Sequence, residues 1–374
     1  MPCASGMLSL TAETDGRRGP RLAFAQQQMA PPLGRRDQLI SSLLGLWVVF
    51  GLFLDGWAHD NQKPETFFTP WHGLMYSGFA AAGLFALHRA ARSRVSGRSW
   101  RDTLPRGHGL TLAALAVFAV AAAGDLVWHE IWGIEVGVEA LLSPTHLTLM
   151  ASGLVALSAP IRAAWLEEED GPTSFRSFLP VALSATLLTA LVAFFLLYLS
   201  PFSNNAAGAA FSRLPGGAHD HPSQDVGELQ QLLGVGSILM TSVVLALTTS
   251  LLLRRWRTPP GTFTLVYGLL VLLFVGVAEF RQPAVALAGI AAGATADLLV
   301  RRGLPAAGVC AAGAAILWLA YFALYALDEG SVAWTAELWT GAIFLASLVA
   351  GGIGLLSSPL PRTRDAAENL RPVR

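Results

Sequence analysis

The sequence predicts an all-α, polytopic transmembrane bundle of about ten helices with both termini on the cytoplasmic side. Three observations carry that reading. Of the 374 residues 53% are hydrophobic and only 13% charged, with a mean hydropathy of +0.51, a balance outside that of soluble domains. Ten apolar runs approach the ~20 residues that cross a bilayer core. The basic residues alternate with these runs, as the positive-inside rule requires.

The predicted spans are 39–58, 71–88, 109–129, 145–165, 178–200, 229–253, 262–280, 283–300, 305–327 and 336–358. Helices are expected because backbone polar groups in lipid must be satisfied within the segment. With a cytoplasmic N-terminus, 22 of the 25 Lys and Arg residues fall inside, leaving Lys63, Arg213 and Arg281 outside. The expected location is the cytoplasmic membrane, with the lipid bilayer as the first partner. The formal net charge of +0 argues against a nucleic-acid partner.

Residues 1–38, rich in Gly, Pro, Gln and Arg, lack the apolar core of a signal peptide and are expected to be a disordered cytoplasmic tail, with Met7 and Met29 as further possible starts. Residues 359–374 form a second tail. Between them lie a duplicated two-hairpin region, 39–165 (copies 39–90 and 109–165), and a six-helix region, 166–358, with an external loop at 200–228. Cys3 and Cys310 are too far apart in context to suggest a disulfide or a Cys-based metal site.

The duplication is visible in "DGWAHDNQKPETFFTPWH" (55–72) and "DLVWHEIWGIEVGVEALLSPTH" (125–146). Asp55 and His59 are four apart, as are Asp125 and His129, so each pair shares a helix face. Thr69-Pro70 and Ser143-Pro144 read as an N-cap followed by the first helical residue, which puts His72 and His146 at the third. The positive end of a helix dipole favours the neutral imidazole there, the metal-binding form. Two candidate metal sites follow: Asp55, His59, His72 and Asp125, His129, His146. Two imidazoles and a carboxylate suit Cu(II), Zn(II) or non-haem Fe(II). Glu65 and Glu139 are expected to accept from the free ring nitrogens, and Asp60 and Glu130 stand beside the first His of each copy.

Weaker candidates surround these. Met75 and Met150 lie a turn beyond the second His, with ordinary packing as the simpler role. His219 and His221 form an external "HDH" cluster that reads first as a solvated loop. Asp297 is expected to pair with Arg301 and Arg302, Glu279 with Arg281 at a surface turn, and His88 and His108 to lie at the cytoplasmic interface. "LEEED" (166–170) reads as a solvated turn.

At these residues the chain resembles the copper-binding segment in the C subunit of the particulate methane and ammonia monooxygenases. That family carries Asp-x-x-Trp-His, an acid, and then Phe-Thr-Pro-Ser-His. The first copy keeps the Asp55, His59, His72 spacing and "FTP" at 68–70, with Ala58 in place of Trp. The second keeps "DLVWH" and "SPTH" with a loop four residues longer. The resemblance covers some twenty residues per copy. It implies copper as the cofactor, bound by Asp55, His59 and His72 and by Asp125, His129 and His146, and further membrane or copper-delivery subunits as partners. Carried further, it implies a monooxygenase-like oxidase of a small substrate. Copper acquisition or transport, and a structural metal staple, are the competing functions.

Overall fold

A computed structural model describes residues 33–61, 63, 69–93, 104–105, 107–133, 137–166, 174–203, 207 and 226–357, residues 226–228 as backbone only. Among these residues the regular structure is entirely helical. The helices are α1 Arg35–Asp60, α2 Pro70–Ser93, α3 His108–Trp132, α4 Pro144–Leu157, α5 Ala159–Trp165, α6 Phe175–Phe194, α7 Val226–Arg255, α8 Thr262–Val277, α9 Ala286–Arg301, α10 Ala306–Glu329 and α11 Ala336–Leu356. Eight segments are long and apolar enough to cross a membrane, α4 and α5 counting together as Pro144–Trp165. Helix α8 is apolar but shorter, at 16 residues. Helix α2 has the length, 24 residues, while its Trp, His, Tyr and Ser residues dilute its apolar character. The chain is thus a multi-pass helical bundle.

Helix α1 begins at Arg35, inside the segment expected to be tail. Leu33 and Gln38 are buried there, the Gln38 amide donating to the Leu33 carbonyl at 2.7 Å. Residues 1–32, the loop 208–225 with His219 and His221, and Glu65 lie outside the described residues. The fourth predicted span is broken at Ser158, where Pro160 prevents continuous backbone bonding. Arg162 spans the break, bonding the Val155 carbonyl, the Ser158 hydroxyl and, on α3, the Thr111 hydroxyl.

Sequential helices pair as hairpins: α1 with α2, α3 with α4, α8 with α9, α10 with α11. The main core gathers around α6, α8 and α10. Helix α6 is the most enclosed span and forms the wall against which the first hairpins lean. Phe53 of α1 meets Phe194 of α6 with ring centroids 5.1 Å apart.

Glycine sets the closest approach within the first hairpin. A Cβ on Gly51 would stand 2.6 Å from Met75 Cα, and one on Gly78 would stand 2.9 Å from the Trp47 ring. Gly51 is one turn before Asp55 and Met75 is three residues after His72, so this contact brings those two side chains to the same level.

Two expectations are corrected in the second half of the chain. Asp297 forms no ion pair with Arg301 or Arg302. It is buried and accepts from the backbone N–H groups of Gly261, Phe263 and Thr264 and from the Thr264 hydroxyl, at 2.7–3.1 Å. It therefore caps the N-terminus of α8 from α9, where the orphan N–H groups and the helix dipole favour a carboxylate. Glu279 does not pair with Arg281. It accepts from the Trp57 indole N–H at 3.1 Å, and Arg281 donates to the Ser203 carbonyl. Glu279 and Phe280 both adopt left-handed backbone, φ 54° and 53°, a conformation that costs free energy in non-glycine residues. In the first half of the chain, His108 stands at the start of α3 as expected but is buried there: it is 3% exposed and its Nε2 lies 2.8 Å from the Ala86 carbonyl. His88 is exposed, as expected.

Candidate metal centre

Ser143 caps α4, accepting from the His146 backbone N–H at 3.2 Å, with Pro144 as the first helical residue. This places His146 on the first turn, facing the last two turns of α3. There Asp125 and His129 stand one turn apart. Their three ligand atoms lie within 4.8 Å of one another, the one such group among the described residues. His129 Nε2 is 3.4 Å from Asp125 Oδ2, and His146 Nε2 is 3.4 Å from Asp125 Oδ1.

The hydrogen bonds behind these atoms orient the two rings. Asp125, as a carboxylate, only accepts, so Thr145 spends its hydroxyl proton on Asp125 Oδ1 at 2.7 Å. Ser143 Oγ, 3.0 Å from Thr145 Oγ1, must then be the donor between the two hydroxyls. With its proton committed, Ser143 can only accept from His146 Nδ1, 2.9 Å away. His146 Nδ1 therefore donates, and so does His129 Nδ1, 3.2 Å from the Gly133 carbonyl. In their neutral forms both rings then carry the lone pair on Nε2, the atom of each that stands near Asp125. That is the donor set a divalent cation needs, with each imidazole oriented from behind as metal-ligating His residues are.

The first copy repeats half of this arrangement. His72 Nε2 is 3.4 Å from Asp55 Oδ1, and His72 Nδ1 is 2.7 Å from Thr69 Oγ1. His59 does not complete a group of three, although its spacing from Asp55 matches that of His129 from Asp125. The last turn of α1 is engaged elsewhere: Gly56 abuts the Phe194 ring and Trp57 bonds Glu279. The last turn of α3 ends instead at the exposed Ile131 and Trp132.

The acids expected to support the imidazoles do not do so where described. Glu139 turns back to accept from the Gly137 N–H at 3.2 Å. Asp60 and Glu130 are exposed. Thr69, Ser143 and the Gly133 carbonyl take the supporting role. Spacing from the histidine did not find them; the cap positions already held the signal, since a hydroxyl at N-cap lies within reach of a ring at the third helical position.

Asp55, His72, Asp125 and His146 all line one cavity of about 140 Å³, together with Met75, Tyr76 and Met150. Tyr76 stacks on His72 at 6.1 Å and stands within electrostatic reach of both Asp125 and Asp55. The two hairpins therefore present their Asp–His pairs to a shared space.

No protein-family model, curated protein or solved structure matches the chain. The functional reading accordingly stands on this geometry and on the chemistry of the donor set.

Proposed function

We propose that this multi-pass membrane protein binds copper at Asp125, His129 and His146 and is an oxidoreductase acting on a molecule held in the adjoining cavity. The observation that carries the metal assignment is the convergence of two Nε2 atoms and a carboxylate, each held from behind. Copper is favoured by the nitrogen-rich donor set and by the resemblance of "DLVWH" and "SPTH" to the copper segment described above. A bound copper ion would supply Lewis acidity and one-electron chemistry. Asp125, His129 and His146 would hold the ion, and three side chains alone would not fill a copper coordination sphere. The arginine distribution supports placing this centre at the outer face of the cytoplasmic membrane.

Metal analysis of the purified protein, with paramagnetic resonance of the oxidised form, tests the reading. One equivalent of copper with nitrogen hyperfine structure, lost in His129→Ala, is the expected result. A wild-type protein that takes up no stoichiometric metal sinks it. Cysteine labelling at positions 66 and 212 tests the orientation: both should react from outside, and reaction from the cytoplasmic side alone overturns the outer-face placement.

A further inference from the structure

The cavity does not end at the Asp–His level. Its lining runs along α1 from Asp55 to Ser41, along α2 from His72 to Ala86 and along α3 from Asp125 to His108. At 1.5 Å per residue these stretches correspond to about 20–25 Å, so the space is elongated parallel to the helices. Its roof is polar, with Asp55, His72, Tyr76, Asp125 and His146. Its shaft is mostly apolar, walled by side chains such as Leu52, Phe79, Phe118 and Leu191, with Ser41, Ser42 and Thr111 toward the far end. At the far end His108 points a second polar group at it: with Nε2 bound to the Ala86 carbonyl, its buried Nδ1 is left an acceptor with no partner among the described residues.

We infer that this cavity is the binding site of a single-chain aliphatic amphiphile with a hydrogen-bond-donating head, an alcohol or an amine. The inference extends the metal reading, because ligand head and metal share the roof. The head lies between the Asp55–His72 pair and the Asp125–His146 pair, where two carboxylates offer acceptors. The chain descends between α1, α2, α3 and α4 against α6. Each methylene placed there adds van der Waals contact with the shaft walls, until the chain end meets His108. There a methyl group faces an unsatisfied acceptor, a contact that costs rather than gains. Affinity therefore rises with chain length and then levels off. The first hairpin, which lacks a complete three-ligand group among the described residues, thereby has a role of its own: Asp55 and His72 hold the ligand that the metal faces.

The test uses 1-dodecanol carrying a diazirine in its chain, photolysed with the full-length protein in detergent, both metal-free and copper-loaded. Label is expected on the cavity-facing peptides of α1 to α4, displaced by unlabelled 1-dodecanol and far less by dodecane. Ala82→Phe, which plugs the shaft from α2, should reduce it at least fivefold. Ala156→Phe plugs it from α4 and serves if the first variant misfolds, folding being checked by thermal unfolding. Asp55→Asn should weaken displacement by the alcohol severalfold. Label confined to lipid-facing peptides, or cavity label unchanged by both plugging variants, overturns the inference. Cavity labelling in a wild-type protein that takes up no metal would uphold the ligand site while removing the metal from it.

Discussion

Thr145 Oγ1 donates to Asp125 Oδ1 across 2.7 Å, joining the first turn of α4 to the penultimate turn of α3. This one bond sets the direction of every proton in the Ser143–His146 chain behind it. Thr145→Val keeps the shape and removes the proton, so Ser143 becomes free to donate to His146 and the Nε2 lone pair is no longer enforced. Metal affinity should fall about 10–100-fold, with the fold unchanged. Competition titration against a chelator measures it, and unchanged affinity would show that the hydroxyl chain does not orient the ligand.

Metal stoichiometry separates the two copies. His129→Ala and His146→Ala should each abolish the metal, because each removes one of three donors. His59→Ala should retain it, since His59 joins no three-ligand group among the described residues. Loss of a second metal equivalent in His59→Ala would restore the two-site expectation drawn from the repeated spacing.

Protons compete with the metal for the same nitrogens, so affinity should fall as pH is lowered. With two histidines the fall approaches about 100-fold per pH unit once both rings bind protons in the metal-free protein. The associated stabilisation is present at higher pH and lost on acidification. Thermal unfolding with and without copper at pH 5.5 and 7.5 reads this out; an equal metal-induced shift at both values contradicts imidazole ligation.

The approach of α1 to α2 at Gly51 tolerates no side chain, because a Cβ would meet Met75 backbone. Gly51→Val should cost about 1–3 kcal/mol through overpacking and separate Asp55 from His72. Gly83 has nothing within 4 Å of such a Cβ, so Gly83→Val is the control and should cost far less. Equal melting temperatures for the two variants would refute the close contact.

Asp297→Leu should destabilise the protein by about 2–4 kcal/mol, because it strands buried N–H donors at the start of α8. Arg301→Ala should change stability by less than ~0.5 kcal/mol. The reverse order would reinstate the ion pair expected from sequence. Denaturation of both variants in the same detergent decides it.

The membrane class and the helix positions were legible in sequence because burial in lipid imposes long apolar runs. Asp125, His129 and His146 were legible for a local reason: four-residue spacing and an N-cap proline motif each determine a side chain's face within one turn. What escaped depended on contacts between distant segments. His59 has the same local spacing as His129, yet α6 and the turn after α8 engage its helix end. Asp297 looked paired because Arg301 is one turn away, whereas its partners begin thirty-odd residues earlier in the chain. The shared cavity was invisible for the same reason, since no pattern within either copy states that the two copies face each other.

Asp297 fixes the start of α8 from α9, and the turn beyond the far end of α8 carries Glu279, which holds Trp57 two residues from Asp55. Helix α8 is thus a strut pinned at both ends: one carboxylate ties it to the second half of the bundle, and the other ties the end of α1, with the roof of the cavity, to it.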